Sequence, residues 1–239
     1  MNRFVVGVII LAILALLAVL IFTGDTGGSK SSVAKTKPSV KEEVVENDYT
    51  REEILTERTK LLKARITDNY LGSVHAPVLI IEYASLSCGH CATFHNEVLP
   101  KIKEQFIDTN KVRFVYRDYP LNAPALRAAQ LSQCIDKDKY YGFLGVLFKS
   151  QNSWAFNRNY MDILKNIAKI AGIEQAEFTK CVNDKALQEK IIKATKDAGQ
   201  FLEVESTPTL FINGVKYDGK RNIEEISAYI NKVLKGEAL

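Results

Sequence analysis

The stretch Tyr83-Ala84-Ser85-Leu86-Ser87-Cys88-Gly89-His90-Cys91 constrains this chain most. An apolar run, Val78-Leu79-Ile80-Ile81-Glu82-Tyr83, precedes it and predicts a buried strand. Cys91-Ala92-Thr93-Phe94-His95-Asn96-Glu97-Val98-Leu99 follows and predicts a helix. A Cys-x-x-Cys pair at a strand-to-helix handover reads as a redox pair rather than as half of a metal site. Only a thiolate attacks a disulfide, and an ordinary cysteine with a pKa of about 8.5 is barely ionised at neutral pH. The first turn of a helix offers unpaired N–H groups and the positive end of a dipole. Cys88 is expected there as the nucleophile, helped by a hydrogen bond or charge from His90, with Cys91 more buried as the resolving thiol. A zinc or peptide-binding module built on Cys88, Cys91, His90 and His95 is the contrasting reading. It lacks a second ligand pair at suitable spacing.

The chain has 239 residues, 46% of them hydrophobic, enough for one globular domain with an insertion. Its net charge of +4 is too mild to point to nucleic acid, and no basic block interleaved with aromatics occurs. Phe4 to Phe22 is an uncharged, almost wholly apolar run preceded by Arg3. It predicts a signal peptide or, from its length, an uncleaved anchor over residues 1–22. Residues 23–48, rich in Gly, Ser, Thr and Lys, predict a flexible tether. The lysines at 30, 35, 37 and 41 run against a strict positive-inside count, but long domains translocate largely regardless of charge.

Residues 49–67 are expected to form an amphipathic helix with Ile54, Leu55, Leu61, Leu62 and Ile66 on or near one face. His75 is read as a surface loop residue. In the helix after Cys91, Phe94, Val98, Leu99 and Ile102 share the buried face, Pro100 is expected to kink the run, and His95 falls off that face into solvent. Val112–Tyr116 predicts a second strand. Residues 123–201 have a helical texture throughout, about four or five helices inserted into an α/β domain made of 68–122 and 202–239. Trp154 is expected to pack rather than react. Thr209-Leu210-Phe211-Ile212, Asn213-Gly214 and Val215-Lys216-Tyr217 predict a hairpin, followed by a closing helix. Ser206-Thr207-Pro208 leads into it, with a bond before Pro208 that is either trans or cis. Cys134 and Cys181, 47 residues apart, are a second pair; in an exported chain with four cysteines the even-number reading is a structural disulfide.

Taken together, Glu82 six residues before Cys88, Cys88-Gly89-His90-Cys91, a helical block, and Thr207-Pro208 ahead of a strand–turn–strand–helix resemble the DsbA family of exported thiol:disulfide oxidoreductases. Ala76-Pro77-Val78 and Glu82-Tyr83 are also similar to that family, with an alphaproteobacterial cast. The resemblance covers about residues 68–234 and implies a thioredoxin-like α/β fold with a helical insertion. It implies Cys88 as exposed nucleophile, Cys91 as buried partner and His90 as thiolate stabiliser. Pro208 is implied as a cis-proline beside the disulfide, with Thr207 and Ser206 presenting backbone to an extended substrate. Glu82 is implied as a buried acid relaying a proton to or from Cys91. Some relatives in this branch are similar in carrying a pair like Cys134 and Cys181. Reduced, unfolded client proteins and a DsbB-like membrane reoxidase are the implied partners, with no cofactor, in a periplasmic and possibly inner-membrane-anchored protein. Residues 23–68 are too short and polar for a dimerisation domain, which favours a monomer. Gly89 in place of the commoner proline, and Thr207 before Pro208, also occur in isomerase-type relatives and keep an isomerase or reductase as the alternative.

Overall fold

The computed structural model describes residues 49–237. The expected signal or anchor segment and the tether lie outside the described residues. Among the described residues no helix is long and apolar enough to cross a membrane. Five strands, β1 (Tyr70–Leu71), β2 (Val78–Ala84), β3 (Val112–Asp118), β4 (Thr209–Ile212) and β5 (Val215–Lys216), form one sheet in the order β1-β3-β2-β4-β5. β2 and β3 run parallel, with Glu82 opposite Tyr116; β2 and β4 run antiparallel, with Glu82 opposite Leu210. This is the thioredoxin-like α/β arrangement that the resemblance implies.

β2 is the central strand and needs apolar residues on both faces, which is why it reads as a continuous run rather than an alternation. On one face Val78, Ile80 and Ala84 join Phe114, Leu210 and Ile212 under the helical run that follows Cys88. On the other, Ile81, Tyr83, Val115 and Phe211 meet Leu61 of α1 (Arg51–Leu61). Each such large side chain, fully buried, contributes on the order of 1.5–3 kcal/mol. Asn213 and Gly214 take φ of 47° and 83°, the left-handed pair a tight hairpin requires.

The helical block holds six helices: α4 (Ala123–Gln133), α5 (Tyr140–Lys149), α6 (Gln151–Trp154), α7 (Tyr160–Ile170), α8 (Gln175–Asn183) and α9 (Lys185–Leu202). Before it, α2 (Gly89–Thr93) and α3 (Leu99–Ile102) belong to the run after Cys88, and α10 (Ile223–Leu234) closes the chain. The block is not a separate lobe, because Ala198, Phe201 and Leu202 at the end of α9 complete the core on the second face of the sheet. Cys134 and Cys181 are joined by a disulfide with a Cα–Cα distance of 6.3 Å, tying the end of α4 to α8. Trp154 is fully buried, and its Nε1–H donates to the Leu147 carbonyl.

The first helix is shorter than its pattern predicts. Thr50 and Glu53 form a reciprocal capping box at its start. It ends at Leu61, and Ile66 is 96% exposed rather than on a buried face. The reason lies in β3. The buried Arg117 guanidinium donates to the carbonyls of Leu61 and Lys63, and pairs with Asp68 at 2.8 Å. Arg65 N–H, which would have continued the helix, donates instead to the Asp68 carboxylate.

Candidate active site

Cys88 sits at the N-cap of α2, its backbone extended (φ −85°, ψ 121°), where the turn Ser85–Cys88 brings the chain off the end of β2. Its sulfur accepts the Cys91 backbone N–H at 3.1 Å, and as a thiol it donates to the Thr207 carbonyl at 3.3 Å. Cys88 and Cys91 are both unbonded here. The two thiols differ sharply. The pKa of Cys88 is lowered from 9.0 to about 6, first by the hydrogen bond from the Cys91 thiol, against an opposing push from burial, and then by Thr207 and the backbone N–H groups of Cys91 and His90. Cys91 is fully buried, and its pKa is pushed far upward by desolvation, by its bond to Cys88 and by the negative charges of Glu82 and Cys88. One sulfur is therefore built to be a thiolate near neutral pH and the other to hold its proton.

His90 is exposed beside this pair. Its backbone N–H contributes to the lowered pKa of Cys88. The peptide bond Thr207–Pro208 is cis. The Thr207 hydroxyl oxygen is buried without a partner of full hydrogen-bond geometry, and it lies near enough to Cys88 to favour the thiolate. Ser206 is exposed, and its carbonyl accepts the Thr209 hydroxyl at 2.7 Å. Between this loop and α2 opens a groove of about 520 Å³, lined by His90, Phe94, Ser206, Thr207, Pro208 and Arg221 among others. Cys88, Cys91, His90, Ser206, Thr207 and Pro208 thus converge, although more than a hundred residues separate the two segments.

Glu82 projects from β2 into the first face of the sheet and is fully buried. Its partner was not visible in the sequence. His95 Nε2 lies 2.7 Å from Glu82 Oε2, with the two side chains 4% and 0% exposed. His95 is stacked on Phe148 at 4.1 Å between ring centres. The expectation of a solvated His95 is therefore wrong: Cys91, Phe94, His95, Val98, Leu99 and Ile102 fall at i, i+3, i+4, i+7, i+8 and i+11, one helical stripe, and all are buried. The run from Gly89 to Ile107 contains two π-helical turns, Phe94–Val98 and Lys103–Ile107. Pro100 has no N–H to continue an i→i−4 ladder, and Leu99 N–H reaches back five residues to the Phe94 carbonyl.

A second residue escaped the sequence reading. Gln151, buried in α6, donates its amide Nε2 to the carbonyls of Leu86 at 2.8 Å and Cys88 at 3.0 Å. It clamps the loop that carries the nucleophile from the helical block. A buried glutamine 63 residues beyond Cys88, within the polar stretch Lys149-Ser150-Gln151-Asn152-Ser153, leaves no local signal. Among the described residues no group of three or more His, Cys, Asp or Glu side chains is placed to hold a metal ion.

The family model described as thioredoxin matches residues 64–232. The chain is 30% identical over 212 residues to a Rickettsia prowazekii protein named "Putative protein-disulfide oxidoreductase", covering 87% of this chain and 78% of that one. A Rickettsia felis protein of the same description is 31% identical over 70% of this chain, and the match spans only 60% of that relative's length. The solved structure of Wolbachia pipientis alpha-DsbA1 superposes with a TM-score of 0.71 at 35% identity, covering 75% of this chain and 96% of that one.

Proposed function

Because this chain belongs to the thioredoxin family and to its DsbA-like members, we propose that it is an exported thiol:disulfide oxidoreductase that introduces disulfides into client proteins. In this reading a client thiolate attacks Cys88 Sγ of the Cys88–Cys91 disulfide. The S–S bond breaks, Cys91 leaves and takes up a proton, and a mixed disulfide joins client to Cys88. A second client thiolate attacks the client sulfur of that bond, and Cys88 leaves as a thiolate. The client has lost two electrons, and the protein dithiol has gained them. The groove beside Ser206, Thr207 and Pro208 holds the client segment in extended form. Glu82 exchanges a proton with Cys91. A DsbB-like membrane protein removes the electrons, and no cofactor takes part. The protein works as a monomer in the periplasm, and the apolar segment Phe4–Phe22 supports export and inner-membrane attachment.

The observation that carries this reading is the asymmetry of the two thiols. A Cys88 thiolate that is stable in the reduced protein makes that form the preferred one, and so makes the disulfide an oxidant. The test supplies the oxidised chain to a reduced, unfolded protein and counts the disulfides formed. One disulfide per chain is expected, with none from Cys88→Ser. Rearrangement of an already scrambled client without net oxidation would move the assignment to an isomerase.

A further inference from the structure

The buried Glu82–His95 contact goes beyond the relay assigned to Glu82 alone. We propose that Glu82 and His95 share one proton beneath the Cys88–Cys91 pair, and that His95 is a positioning residue that supplies this proton to Cys91 through Glu82. The inference rests on the oxidoreductase reading above and concerns how that site manages its buried proton.

Three observations lead to it. His95 Nε2 occupies one Glu82 oxygen, Oε2, at 2.7 Å. The other, Oε1, is buried with no hydrogen-bond partner among the described residues. And Cys91 senses the Glu82 charge directly, since that charge helps hold its thiol protonated. A carboxylate cut off from water with one oxygen unpaired is costly, so the site favours a proton on the pair. That proton can sit on either partner while the pair as a whole stays neutral. The other groups facing the pair cannot play this part. Tyr116 from β3 has its ring 5.6 Å from His95, and its hydroxyl donates to the Ala84 carbonyl. Tyr141 from α5 donates its hydroxyl to the backbone carbonyls of Asn69 and Phe114. Both phenols have pKa values driven upward by burial, so they stay neutral. Phe94, Phe114 and Phe148 close the rest of the His95 ring.

The balance is simple. When the Cys88–Cys91 bond breaks, the Cys91 sulfur receives the electron pair and needs one proton in a place water does not reach. The one shared proton passes to Cys91 through Glu82, and the pair is left as a carboxylate beside a neutral imidazole, with a net single negative charge. When the disulfide re-forms, the Cys91 proton returns to the pair. The proton content of the Glu82–His95 pair must therefore differ between the oxidised and reduced protein at one pH.

The test uses the full chain and a small thiol, dithiothreitol, so it does not depend on any client. The rate of disulfide opening, expressed per attacking thiolate, is followed from pH 4.5 to 8.5. The wild-type rate is expected to fall as the pair loses its proton. His95→Gln puts a non-titrating amide nitrogen near the Nε2 position. It leaves Glu82 as the one titrating member of the pair, so the pH at which the rate falls is expected to move by about one unit or more from that of the wild type. Glu82→Gln should give a flat profile, and the double variant no further loss. A His95→Gln profile with the wild-type midpoint would overturn the proposal, because a merely structural histidine would change the scale and not the midpoint. Should His95→Gln fail to fold, the wild-type chain still decides. It has three histidines, and histidine NMR of the oxidised and reduced forms should show the signals of the buried one differing with redox state. Identical His95 titrations in both forms would overturn the proposal. A chain that passes these tests but oxidises no client would retain the proton pair and lose the oxidase assignment.

Discussion

Replacing Cys91 by alanine separates the forces that hold Cys88 ionised. The lowering from 9.0 to about 6 corresponds to roughly 4 kcal/mol between thiol and thiolate at full strength, and to less once the partly open edge of the site admits screening by water. The largest single contribution is the hydrogen bond from the Cys91 thiol. The alanine variant removes that donor and keeps the backbone N–H of residue 91, which lies 3.1 Å from the Cys88 sulfur. A hydrogen bond to a charged group is worth about 1.5–3 kcal/mol, or about one to two pKa units. The Cys88 pKa in Cys91→Ala is therefore expected between about 7 and 8. The midpoint is read from thiolate absorbance in the ultraviolet, or from the pH dependence of alkylation by iodoacetamide. A midpoint still near 6 would show that the Cys91 thiol is not the stabilising donor. A midpoint restored to about 9 would show that the backbone donors and Thr207 do no more than offset burial.

The same group sets the pH window of the reduced form. Because the Cys88 pKa is depressed on folding, its stabilisation of the reduced protein is complete above the ordinary thiol value of 9.0. It fades as pH falls and is gone below about 6. At pH 7 it amounts to roughly 1.4 kcal/mol, which urea unfolding of reduced and oxidised protein across pH 5–9 should resolve; a pH-independent gap would contradict it. Gln151→Leu leaves the Leu86 and Cys88 carbonyls without a donor, and a loss of about 1–3 kcal/mol per stranded group is expected in chemical unfolding, together with a changed Cys88 reactivity. Arg117→Met leaves Asp68 buried and unpaired, and about 3–5 kcal/mol should be lost; an unchanged midpoint would refute the role of Arg117 as the anchor of α1. Converting both Cys134 and Cys181 to serine opens a 47-residue loop, with a cost of roughly 4 kcal/mol on the chain-entropy account and Cys88 chemistry unaffected.

What could be read ahead of the structure was what depends on local pattern. The apolar run of β2, the alternation in β3, Asn213-Gly214 and the placement of Cys88 at a helix start each follow from a few neighbouring residues, and each is found where expected. The misses are long-range. His95, four residues after Cys91 and three before Val98, lies on the buried stripe by spacing alone, and the partner that lets a polar ring sit there, Glu82, comes from β2. Ile66 continues the spacing of a helix whose end is dictated by Arg117, about fifty residues on. Gln151 reaches the Cys88 loop from a different part of the chain, and only the folded chain brings the two together.

The central claim is that Cys88 and Cys91 form an oxidising pair, and a glutathione redox titration of the full chain tests it most directly, with Cys134 and Cys181 followed separately by mass. The account predicts a potential toward the oxidising end of the range, around −120 mV. A value near about −270 mV, that of a reductant, would contradict it.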